Sequence, residues 1–186
     1  MDKEISFKFV FYILPFFPIV TRGILYLKFQ KEMNDILEKE ELNKESHRTY
    51  IMTMAGFSFT GLLAMVVLDA TRPQGYQFTI YYLFMSFLGY IFALNLQSYK
   101  AKRWQDQLAT ASLDMASLCL ILSILSILIT NNFSPAFAYP LSIVVILIWL
   151  IDHGLRLKFD SDYLKEKRKI KEYFMIFIKE FLSISL

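Results

Sequence analysis

The stretch LDMASLCLILSILSILIT, residues 113–130, decides how this chain folds. It carries one charge, Asp114, among apolar and small side chains. As a helix rising 1.5 Å per residue it covers about 27 Å, close to the ~30 Å hydrocarbon core of a bilayer. Three more runs of this kind surround it, at 50–68, 78–96 and 137–151, joined by short loops. A soluble domain of 186 residues has no use for four such runs. The expected fold is an all-α integral membrane protein built as an antiparallel bundle of four transmembrane helices. Three regions follow: an N-terminal segment with a charged cytoplasmic helix (1–48), the bundle (49–152) and a basic amphipathic cytoplasmic helix (153–186).

Charge sets the orientation. Five Lys or Arg lie in residues 28–48 before the first run, three follow the second and eight follow the fourth. The loop after the first run has Arg72, and the loop after the third has none. Sixteen basic residues thus fall on one side against one on the other, and the basic side is expected to be cytoplasmic. The expectation is a multi-pass protein of the plasma (inner) membrane with both termini inside. Trp104 and Trp149 are expected as anchors at the inner boundary, and Tyr76 and Tyr139 at the outer one.

Residues 5–27 allow two readings. FVFYILPFFPIVT (9–21) suits an interfacial or re-entrant helix by its length, interrupted by Pro15 and Pro18. A fifth span would require Arg22 to snorkel or pair. The prolines, and Arg22 where a cleavage site would stand, argue against a signal peptide.

Helix pairing in lipid needs small residues, because lipid tails supply no hydrophobic drive. The third run offers Ala109, Ser112, Ala116, Cys119, Ser123, Ser126 and Thr130, spaced 3-4-3-4-3-4. That is the seam period of a left-handed helix pair, within the bundle or between copies of the chain. Thr49, Thr53, Gly56, Thr60 and Ala64 form a looser row in the first run. Ser86, Gly89 and Ala93 form one in the second. Cys119 reads as a small packing residue.

Asp114 lies off that seam, so both faces of the third helix should meet protein or water. Matching depths suggests Asn95 and Gln97 as neighbours and Arg156 as a charged partner. The residue serves either a buried structural hydrogen bond or an ion pathway. His47, Asp152 and His153 could meet at the inner surface, but their spacing specifies no metal site, and His47 and His153 read as solvated interfacial residues.

No phosphate-binding, zinc-hydrolase, dithiol or nucleophile-elbow motif occurs, so neither enzymatic activity nor a cofactor is expected. The stretch 28–48 reads as a charged helix with a stripe at Phe29, Met33, Ile36 and Leu37. In the tail, Asp160 or Ser161 is expected to cap a helix whose Lys165, Lys167, Arg168, Lys169 and Lys171 contact anionic inner-leaflet lipid. Nucleic acid is not an expected ligand, because no stacking signature accompanies the basic run. The functional expectation is a homo-oligomeric subunit, acting as an anchor or pore and engaging a soluble cytoplasmic protein. By analogy of architecture alone, its setting is a bacterial defence or immunity module. The alternative is a small ion channel or transporter using Asp114.

Overall fold

The computed structural model describes residues 12–30, 44–71, 76–98, 103–131 and 134–184, all in helices or their ends. Within these, the side chains of 44–47, 71, 97–98, 103, 135, 167, 170–171 and 173–184 are left aside. A 3-10 turn at Leu14–Phe16 leads into α1 (Phe17–Lys28). Four longer helices follow: α2 (Lys44–Thr71), α3 (Gln77–Ser98), α4 (Arg103–Thr130) and α5 (Pro135–Ile184). No strand occurs among the described residues. Each of α2 to α5 contains a stretch long and apolar enough to cross a membrane, consistent with a multi-pass membrane protein. Their exposed sides carry large apolar residues such as Phe57, Val67, Phe92, Ile143 and Ile148.

The small residues decide how α4 meets α3. Ala109, Ser112, Ala116, Cys119 and Ser123 are all buried. A methyl group added at Gly89 would stand 3.0 Å from the Ala116 Cβ, the Met115 Cε and the Ser112 carbonyl oxygen. Further along the seam, Thr79 Oγ1 donates to Ser126 Oγ at 2.9 Å. Tyr76 Oη donates to Asn131 Oδ1 at 2.7 Å. Residue numbers rise on α4 as they fall on α3. The stripe is therefore a contact inside the chain. On α2 the buried residues are Ile51, Ala55 and Ser58, with Ser58 Oγ 3.0 Å from Ser86 Oγ. The looser row of Thr49, Thr53, Gly56, Thr60 and Ala64 is exposed instead. No side chain comes within 4 Å of a Cβ built on Gly56.

The N-terminal segment runs lengthwise along α4 and does not lie across the end of the bundle. Tyr12 stands against Phe78 and Tyr81, and its carbonyl accepts a 2.9 Å hydrogen bond from Tyr81 Oη. Leu14 and Ile19 pack on Tyr82, Met115, Leu118, Leu122 and Trp149. Leu25 and Phe29 close on Leu164, with Trp104 alongside. Pro15 and Pro18 are both buried, and Pro18 sits in the first turn of α1 where its missing N–H costs nothing.

The fourth span and the tail form one helix. At 50 residues, α5 is about 75 Å long. Asp160 and Ser161 lie inside it and cap nothing, because the chain does not break at residue 152. Two expected anchors are interior residues as well. Trp149 stacks on His153, and Tyr76 is buried with its hydroxyl bonded to Asn131. Tyr139 is exposed, as an anchor would be.

Candidate functional site

Three helices bring charge together at Asp114. The face of α5 bearing Trp149, His153, Arg156 and Asp160 turns toward α4, while α1 presents Thr21 and Arg22. Arg22, Asp114 and His153 are almost completely buried, at 3%, 5% and 3% exposure. A charge this deep needs a partner, since leaving one alone costs several kcal/mol.

Arg22 uses its whole guanidinium. Nε and Nη2 donate to Asp114 Oδ2 at 3.3 and 3.1 Å. Nη1 donates to Gln107 Oε1 at 2.6 Å and to Asp160 Oδ2 at 2.7 Å. One side chain thus ties α1 to both α4 and α5, with the planar fork that makes Arg suited to carboxylates. Asp160 is only partly buried, so this cation links an enclosed acid to one near the surface.

His153 is the second tie. Its Nδ1 lies 3.0 Å from Asp114 Oδ2 and its Nε2 lies 3.0 Å from Thr21 Oγ1. A carboxylate can only accept, so Nδ1 donates. The Thr21 hydroxyl also lies within hydrogen-bonding distance of the Phe17 and Pro18 carbonyls. The ring stacks on Trp149 at 5.0 Å between centroids and 7° between planes. Trp149 Nε1 in turn donates to Ser117 Oγ at 3.2 Å. On the exposed flank, Arg156 lies 3.6 Å from Asp114 Oδ1 and bonds Asp152 at 2.8 Å.

These positions depart from several expectations. Asp114 has Arg156 beside it, but the nearer cation is Arg22 on α1. Asn95 is exposed. The seam contacts set Gly89 level with Asp114, so Asn95 lies about 9 Å further along α3. The Gln97 side chain lies outside the described residues. His153 is buried in the network and is not a solvated surface group; the side chain of His47 lies outside the described residues. Among the described residues, no group of three or more His, Cys, Asp or Glu could hold a metal ion.

The tail lysines are only partly described. Lys165 bonds Asp162 at 2.9 Å, and Lys169 is exposed. Arg168 turns inward: it donates to the Lys28 carbonyl at 3.2 Å and covers the Phe29 ring. The side chains of Lys167 and Lys171 lie outside the described residues. So do residues 31–43, which hold Met33, Ile36 and Leu37 of the N-terminal stripe.

Just above Asp114, the same face turns apolar. Met115, Leu118, Leu122, Trp149 and Tyr82 are buried together, with Leu14 and Ile19 against them. No protein-family model, curated protein or solved structure matches this chain.

Proposed function

We propose that this chain is a non-enzymatic, homo-oligomeric membrane subunit that holds a rigid helical arm on the cytoplasmic face, where the arm engages a soluble partner. The continuity of α5 carries the reading. The stretch of α5 long and apolar enough to cross a membrane ends at Glu166, and the same helix continues to Ile184, so residues 167–184, about 27 Å of helix, are left to project. The basic residues of that projection support a cytoplasmic placement, with the spans alternating in direction as an antiparallel bundle. The charge network supports an anchoring role, because it clamps the root of the arm through Asp160 and His153. The exposed Thr49–Thr53–Gly56–Thr60–Ala64 row on α2 supports assembly, since small residues allow the close approach of helices in lipid.

A second reading, an ion pathway using Asp114, is favoured by one observation. Thr21, His153, Asp114, Arg22 and Asp160 form an unbroken chain of polar contacts. The apolar cluster above Asp114 weighs against it, because that face offers a passing ion few polar groups beyond Ser117.

Both readings meet in one experiment. Gly56→Cys in a Cys119→Ala background should form disulfide-linked dimers in membranes, and reconstituted parent protein should show no ion flux. A monomer that never cross-links would sink the oligomeric subunit. Flux lost in Asp114→Asn, with assembly intact, would establish the pathway in its place.

A further inference from the structure

The contacts of α1 fix where its two ends lie. At one end Tyr12 packs on Phe78 and Tyr81, in the first turns of α3. At the other, Leu25 and Phe29 pack on Leu164 beside Trp104, in the first turn of α4. Because α3 and α4 run in opposite directions, their first turns lie at opposite ends of the bundle. From Tyr12 to Phe29 the segment covers about 26 Å at the helical rise, close to the ~30 Å hydrocarbon core. Ile13, Phe17, Val20, Ile24 and Leu27 are exposed along it, and their spacing of three and four residues gives one continuous apolar face.

Composition alone does not carry α1 across. The segment is shorter than the ~20 residues of an ordinary span, two prolines interrupt it, and it holds Arg22. An arginine at membrane depth is costly unless it is paired. The groups that the Arg22 guanidinium bonds, Gln107, Asp114 and Asp160, follow it by 85, 92 and 138 residues. The helix is therefore synthesised before the acids that neutralise its charge.

We propose that α1 is a fifth, conditional span: Asp114 and Asp160 hold Arg22 within the membrane and so keep the N-terminal end of α1 on the side opposite the tail. The distribution of charge tolerates this placement. Residues 1–11 add only Lys3 and Lys8 to Arg72 on that side, three basic residues against sixteen. The network at Asp114 then decides which side of the membrane the N-terminal segment occupies. The inference requires only that the bundle lies in a membrane, and is independent of assembly and of what the arm engages.

The test uses the full chain in intact cells, a Cys119→Ala background and a membrane-impermeant maleimide applied before or after lysis. Ser6→Cys and Lys169→Cys should lie on opposite sides, with Ser6→Cys labelled from outside. Both positions on one side would overturn the fifth span. Asp114→Leu/Asp160→Leu leaves Arg22 with Gln107 alone. It should cut outside labelling of Ser6→Cys at least about fivefold, as the cost of an arginine at membrane depth implies. Adding Arg22→Leu removes the charge and should restore the labelling, while Lys169→Cys stays where it was throughout. Labelling undiminished without the two acids would show that α1 crosses unaided and would overturn the conditional span. A loss that Arg22→Leu fails to restore would be general damage and would overturn it too. Should the double variant be degraded, accumulation of the triple variant with Ser6→Cys outside carries the same conclusion, and degradation of both overturns it.

Discussion

The two sides of α4 hold their neighbours by opposite means. Toward α3 the contact is small and mostly apolar, with backbones close enough that Gly89 has no room for a methyl group. Toward α1 and α5 it is charged, built on Arg22, Asp114 and His153. The first kind works through shape and is graded: each added atom costs a little more. The second works through mutual neutralisation. Removing one member leaves another buried charge short of its closest counter-charge, which costs more than the pair contributes net. A membrane interior heightens the contrast, because shape must do there what hydrophobic burial does in water.

The largest effect should come from the charged side. Arg22→Leu removes the buried cation from Asp114 and leaves it only His153 and the exposed Arg156, and by the usual cost of breaking a buried pair it should lose about 3 kcal/mol. Thermal or steric-trap unfolding in detergent would read this loss. Adding Asp114→Leu should recover part of it, whereas strict additivity of the two would show that the ions do not hold each other. A smaller effect is expected at the seam. Gly89→Ala sets a methyl against Ala116, Met115 and the Ser112 carbonyl, and overpacking of that kind should cost about 1–3 kcal/mol. If Gly89→Ala proves harmless while Ala93→Gly weakens the pair, α3 and α4 meet differently from this register. The smallest belongs to Ser58 and Ser86. A double-mutant cycle with Ala at both should give a coupling near the ~0.6 kcal/mol average for polar pairs between membrane helices. A coupling near zero would mean that small size, not the hydroxyl contact, joins α2 to α3.

What could be read from the chain follows this division. The spans and the α4 seam repeat at short spacing, so local pattern exposes them. The depth of Asp114 is legible from its position in an apolar run, whereas a partner for Arg22 is one of two options, beside snorkelling, and only if residues 5–27 span. Their pairing with each other is not legible, because 92 residues separate them and neither marks the other. His153 was misread for a more correctable reason. Trp149, His153, Arg156, Asp160 and Leu164 recur every three or four residues and form one face of α5. Ending the fourth span at residue 151 cut that face in two, and each half looked like surface. The row on α2 was misjudged differently. Small residues mark a helix face able to approach closely, but not which neighbour approaches, and α3 took the face of Ile51, Ala55 and Ser58 instead.

The unbroken length of α5 gives it the mechanics of a lever. With the candidate span ending at Glu166, residues 167–184 remain beyond it, an arm of about 27 Å. Helices answer a change in bilayer thickness by tilting. A tilt of about 10° at the root would sweep the tip of such an arm through about 5 Å, and the one proline inside the helix, Pro140, lies in the span and not in the arm. Spin labels at the arm tips of an assembled oligomer should therefore change separation between short-chain and long-chain lipids, and a constant separation would mean that the bundle holds the lever still. Coupled this way, the proposed partner of the arm would sense the thickness of the membrane that carries it.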